Sequence, residues 1–126
     1  MTRDMDTVRS LLLAIAGRSS DQAKEPFNDE RFSGDELDFY MPLLSERGLI
    51  KTEMFNPLGA NNIWLSVRLT WDGHDFLDTI RDDEIWRQTK EGVQKAGGFS
   101  LDLLKALAKG LVKKKIETHT GVELDL

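Results

Sequence analysis

Cysteine is absent from this 126-residue chain, and histidine (two), proline (three) and tyrosine (one) are scarce. Without cysteine there is no disulfide framework, no thiolate metal site and no cysteine nucleophile. Long apolar runs are missing too. The longest uninterrupted one is Leu11–Ala16, far short of the roughly 20 apolar residues that cross a bilayer, so no membrane partner is expected. Asp4 and Asp6 stand where a secretory leader would carry its basic region. The cytoplasm is therefore the expected location.

The features that most reactions require are equally sparse. Ser19, Ser20 and Ser33 lack the glycine-flanked elbow of an activated serine. Gly97-Gly98 is not followed by the Lys-Ser/Thr pair of a phosphate loop. His74 and Asp78 stand four apart, a helical spacing that suits a divalent metal, but the second histidine, His119, is remote and no Glu-x-x-His pattern joins them. The reading is a non-enzyme with no cofactor and no metal.

What is present is an ordinary soluble composition, 40% apolar and 31% charged, with an uneven charge layout. Residues 1–84 carry 9 Lys/Arg against 17 Asp/Glu, residues 85–116 carry 8 against 2, and the last ten residues add three acids. Such asymmetry marks either an interaction surface or docking of one part of the chain on another.

Periodicity outlines the elements. Asp4 caps a helix whose Met5, Val8, Leu11, Leu12 and Ile15 share a face, and Gly17 stops it. Glu25–Phe32 holds a short strand or an anchored loop. Ser33-Gly34-Asp35-Glu36 is a capping box. It opens a helix with Leu37, Tyr40, Met41 and Leu44 inward, and Gly48 follows as a left-handed cap. Pro42 within it predicts a kink or a break into two pieces. Leu49–Phe55 and Asn62–Leu69 read as a hairpin around Asn56-Pro57-Leu58-Gly59-Ala60-Asn61. Thr70 caps the next helix, where Gly73 lets the backbone approach a neighbour closely. Asp82-Asp83-Glu84 starts another, with Ile85, Trp86, Thr89 and Val93 inward. After Gly97-Gly98, Ser100 caps an amphipathic helix with Leu104, Leu107, Ala108 and Leu111 on one side.

The order helix, short strand or loop, capped helix, hairpin, then Leu69-Thr70-Trp71-Asp72-Gly73-His74-Asp75-Phe76-Leu77 opening a helix resembles a winged helix. The chain also resembles a family of small domains of unknown function from phages, prophages and bacteria. The likeness rests on Arg3-Asp4-Met5-Asp6, on Arg68–Asp83 followed by Ile85-Trp86, and on Gly97-Gly98-Phe99-Ser100 with its Leu/Lys-rich helix. Pro42 and the Asn-rich hairpin tip depart from that pattern. The resemblance implies an α+β, winged-helix-like fold with additional C-terminal helices. It implies no activity. The caps, the Gly97-Gly98 linker and the patternless end predict a winged-helix-like domain over 1–96 that includes a helix at about 84–96, an amphipathic basic helix over 99–116 and a loose tail over 117–126.

Two surfaces are candidates for partners. One is the acidic helix face with the hairpin tip: Asp35, Asp38, Phe39, Glu46, Leu58, Asn61, Asn62 and Trp64. The alternative for Trp64 is packing across the hairpin on its own domain. The other is the basic face of Lys105, Lys109, Lys113, Lys114 and Lys115, whose apolar side packs on the domain or forms a homodimer. The helix before the hairpin would read DNA in a winged helix, yet its outward residues include three acids and no base, which repels phosphate. The function expected is therefore binding of a host or phage protein, with antagonism of a host-defence complex as one form. The alternative is a DNA-binding transcriptional regulator that uses the wing and the Lys-rich helix.

Overall fold

The computed structural model describes residues 1–98 and 100–125. Phe99, expected at the start of the basic segment, and Leu126, at the end of the tail, lie outside the described residues. The fold is α+β: among the described residues, five α-helices and one two-stranded antiparallel sheet. The elements are α1 (Met5–Ala16), α2 (Gly34–Glu46), β1 (Ile50–Phe55), β2 (Ile63–Leu69), α3 (Trp71–Ile80), α4 (Asp83–Lys95) and α5 (Leu101–Thr120). They form two compact units, Met1–Asp75 and Phe76–Leu126. The division falls inside α3 and not at Gly97-Gly98.

In the first unit, α1 begins where the Asp4 carboxylate accepts from the Asp6 and Thr7 amides. This satisfies donors that a helix start leaves open. Its Val8, Leu11, Leu12 and Ile15 are buried, as their spacing predicts. The Tyr40 hydroxyl accepts from the Asp4 amide at 2.9 Å, which ties α2 to the start of α1. Segment 25–32 resolves as an anchored loop after a 3-10 turn at Gln22–Lys24. Phe27 and Phe32 are its buried anchors, and the Phe27 amide donates to the Trp64 carbonyl at 2.8 Å.

The capping box forms in full: Ser33 Oγ accepts from the Glu36 amide and Glu36 Oε1 accepts from the Ser33 amide, both at 3.0 Å. Helix α2 runs through Pro42 as one element, so the expected break into two pieces does not occur. Only one intrahelical bond is lost there, and buried Tyr40, Met41 and Leu44 hold both sides of it. Gly48 ends the segment at φ 70°, a left-handed conformation that a Cβ would strain.

The hairpin pairs Ile50 with Leu69 and Phe55 with Ile63. Its register shifts where Glu53 faces Ser66 but Met54 faces Trp64. Leu65 is thus an extra residue, a bulge on β2. At the base, the Thr70 amide donates to the Leu49 carbonyl at 3.0 Å, Thr70 Oγ1 donates to the Gly48 carbonyl, and the Gly73 amide donates to Thr70 Oγ1 at 3.0 Å. One threonine joins the end of the hairpin to the start of α3.

In the second unit α4 packs on α5. Ile85, Trp86, Thr89 and Val93 are buried on α4, and Leu101, Leu104 and Ala108 on α5. Buried Thr89 satisfies its hydroxyl by donating to the Ile85 carbonyl at 2.7 Å. Helix α5 continues to Thr120, past the expected end near residue 116. The pattern hid this because residues 117–120 carry no apolar period. Thr118 and Thr120 instead donate their hydroxyls to the Lys114 and Ile116 carbonyls, each at 2.8 Å, and Gly121 closes the helix at φ 72°.

A Cβ on Gly73 would stand 2.0 Å from the Leu49 carbonyl oxygen, and a backbone atom cannot swing away. Gly→Ala inside a helix ordinarily stabilises by about 1 kcal/mol. Gly73→Ala is expected to destabilise instead, by about 1–3 kcal/mol, read as a lower urea midpoint.

Candidate functional site

The first candidate surface lies wholly within the first unit, where α2 faces the hairpin tip. Asn61 is the joint. Its Nδ2 donates to Asp35 Oδ1 at 2.8 Å and to Asp38 Oδ2 at 2.9 Å. Asp38 also accepts from the Asn62 amide at 3.3 Å and from Trp64 Nε1 at 3.3 Å. Gly34 makes room for the joint, since a Cβ there would come within 2.6 Å of Asn61 Oδ1. Two acidic side chains one helical turn apart thus hold both the side chain and the backbone of the descending strand.

This changes the roles expected from sequence. Asp35 is exposed but engaged, and Asp38 is half-buried and fully committed to the hairpin. Trp64, at 4% exposure, packs inward and is not a surface residue. Phe39 is half-buried with its ring edge-on to Tyr40 at 5.0 Å. Glu46 is exposed at the far end of α2. Of the residues expected on this surface, Leu58 stands furthest out, fully exposed at the tip.

Residues not singled out from the sequence complete the surface. Phe55 is 54% exposed and its partner Ile63 is 40% exposed, with Met54 and Leu65 also open to solvent. The signal was available in the chain: Ile63-Trp64-Leu65 is an apolar triplet in a strand whose faces alternate. With Trp64 inward, its neighbours must face solvent. Trp71, 81% exposed in the first turn of α3, is a second open aromatic. The outer face of the hairpin is graded. Phe55 and Ile63 lie at its distal end, Glu53 and Ser66 in the middle, and Lys51 opposite Arg68 at the base.

The second candidate surface belongs to the second unit and is less uniformly basic than its sequence. Lys115 Nζ bonds Asp82 Oδ2 at 3.2 Å, and Lys113 pairs with Glu117 at 3.8 Å. Lys105 is half-buried, while Lys109 and Lys114 are exposed. Of the expected apolar stripe, Leu104 and Ala108 are buried where α5 packs on α4, and Leu107 and Leu111 are half-buried. A groove of about 350 Å³ lined by Asp82, Ile85, Gln88, Leu111 and Lys115 is also lined by His119, which the sequence placed in a loose tail.

Two carboxyl groups on α4 are held below their usual range. Asp82, the N-cap, is lowered by the Ile85 amide and then by Lys115. Glu84 is held down to about 2, first by Arg87 and then by Gln88. Arg87 also bonds Glu91 at 2.6 Å, so this guanidinium is paired rather than presented to a ligand. His74 is exposed on α3, and Asp78 pairs with Arg81 at 3.2 Å. Among the described residues, no three His, Asp or Glu side chains gather as a metal-holding group.

Residues 2–100 match the family described as "Hypothetical protein (DUF2513)". An uncharacterized protein of Haemophilus influenzae is 31% identical over 120 residues, spanning 92% of this chain and 99% of that protein. No solved structure matches.

Removing the Asp38 carboxylate leaves a buried indole N–H without an acceptor. Asp38→Ala is expected to cost about 1–3 kcal/mol and Asn61→Ala about 1 kcal/mol. The double variant should cost less than their sum in urea unfolding, because the two share one network. On α4, the folded pKa of Glu84 lies below its ordinary 4.5. Its stabilising contribution is therefore present above pH 4.5 and lost as pH falls toward about 2. Carbon NMR should place the Glu84 titration near that lower value, and Glu84→Gln should flatten the acid limb of stability against pH.

Proposed function

The chain belongs to the family described as "Hypothetical protein (DUF2513)", and on that footing we propose that it is a non-enzymatic binding protein acting through protein–protein contacts of its hairpin. The observation that carries this is the set of exposed apolar side chains at the tip, Phe55, Leu58, Ile63 and Leu65. They sit on a frame that Asp35 and Asp38 fix to α2. An aromatic and several aliphatics on a pre-ordered scaffold bind with little further ordering cost. Asp35 and Glu53, exposed nearby on α2 and β1, give this apolar centre an acidic rim. The matching partner is a protein with an apolar cleft and a basic border, including surfaces that otherwise hold nucleic acid. The resemblance to phage and prophage domains supplies a setting, a bacterial host protein, with antagonism of a defence complex as one outcome.

One observation favours a second reading, DNA binding through a winged-helix-like wing. Lys51 and Arg68 are directly opposed on the hairpin, and among the described residues no acidic side chain is bonded to either. Exposed Lys109 and Lys114 on α5 would add to the neutralising charge. Against it stands α2, whose outward face carries acids and whose would-be reading surface is occupied by holding the hairpin.

The two readings separate in one experiment. The chain is used to capture partners from nuclease-treated bacterial lysate and is tested for duplex DNA retention across salt concentrations. Phe55→Asp with Leu58→Asp is expected to abolish protein capture, and Arg68→Glu with Lys109→Glu is expected to leave it intact. Salt-sensitive DNA retention that vanishes only in the second variant overturns the first reading.

A further inference from the structure

The two edges of the hairpin are treated differently. On the outer edge of β2, the Trp64 carbonyl accepts from the Phe27 amide, so the loop from α1 to α2 covers it. On the outer edge of β1, none of residues 50–55 makes a backbone or side-chain hydrogen bond outside the β1–β2 ladder with any of the described residues. Residues 51 and 53–55 are exposed. An open, regular edge is a template for another strand. The edge is regular because the bulge's extra residue, Leu65, sits on β2 and not on β1.

We propose that β1 pairs antiparallel with β1 of a second copy of this chain, about a two-fold axis at Thr52. The side-chain order of the strand selects this register. With Thr52 on the axis, Lys51 lies opposite the second copy's Glu53 and Glu53 opposite its Lys51. Thr52 meets Thr52, and Met54 meets Ile50. Opposite charges and threonine pairs directly across a ladder are favourable. The neighbouring registers that keep both inner faces on the same side are not. An axis at Lys51 sets lysine against lysine, and one at Glu53 sets glutamate against glutamate.

The pairing also relieves a conflict within the monomer. Lys51 stands directly opposite Arg68, a like-charge pair that opposes hairpin formation. The second copy's Glu53 brings the missing anion to Lys51 from the other side. The contact is isologous and closes as a dimer of four continuous strands. Five residue pairs bury much less than the ~1,000 Å² expected of a stable interface, which makes this a weak, concentration-dependent association. It uses none of Phe55, Leu58, Ile63 and Leu65 and shares only Glu53 with the acidic rim of the proposed protein-binding surface, so Lys51→Glu and Thr52→Cys test it separately from that reading.

Sedimentation of the full chain should show a mass rising from 14.3 kDa toward twice that value as concentration increases. Lys51→Glu and Glu53→Lys should each weaken dimerisation roughly tenfold or more, because each turns two attractive pairs into repulsive ones. The double variant K51E/E53K should restore it. The absence of cysteine allows a direct check. Thr52→Cys should form a disulfide-linked dimer on mild oxidation, since directly opposed strand residues lie within disulfide reach. Glu53→Cys, although more exposed, should link more slowly. A monomer at every concentration overturns the proposal. So does association that ignores the single charge changes, or faster linking at residue 53 than at residue 52. Unchanged circular dichroism of each variant excludes misfolding as the cause.

Discussion

The carbonyl of Leu49 is the point on which the first unit turns. It accepts from the Thr70 amide and lies against the bare Cα of Gly73, while the residue before it, Gly48, accepts from the Thr70 hydroxyl. The end of α2, the base of the hairpin and the start of α3 therefore meet within a few ångströms of backbone. No side chain larger than hydrogen fits at residue 73. Because the hairpin leaves this junction in a fixed direction, its far end reaches back over the N-terminal turn of α2, where Asp35 and Asp38 can hold it. The clamp at the tip is a consequence of the geometry at the base.

That arrangement gives the acidic face of α2 a purpose other than the one its charge suggests. Carboxylates whose charge alone would suit a cationic partner are engaged by Asn61, the Asn62 amide and the indole of Trp64. They still repel polyanions, since a bonded carboxylate keeps its charge, but their main work is structural. The exposed apolar groups lie on the hairpin that they hold. On α4 and α5 the acids similarly reduce the basic character read from the sequence, by pairing Arg87, Lys113 and Lys115.

Legibility followed the range of the interactions. Caps at Asp4, Ser33, Thr70 and Ser100, the left-handed Gly48, and the inward stripes of α1, α2 and α4 were readable because each depends on residues within one or two turns. Gly73 was readable as a close approach, although its neighbour was not. The continuity of α2 through Pro42 was not readable, because buried side chains outvote a local propensity. The last turn of α5 was hidden because its residues carry no apolar period, and its threonine hydroxyls are satisfied by bonding back to the helix's own carbonyls. The roles of Asp38 and Trp64 depended on a contact 26 residues apart in the chain, which spacing alone cannot reveal. The exposed Phe55 and Ile63 were legible in principle, from the broken alternation around Trp64.

Because the clamp grips Asn61, Asn62 and Trp64 while Leu58 and Ala60 are exposed beyond it, substitutions at those two residues disturb almost nothing that holds the domain folded, whereas Gly59 between them, at φ 76°, is fixed by its left-handed backbone. The two can drift in sequence with their frame intact. Change at those positions is limited by the supply of mutations, not by the stability of the protein that carries them.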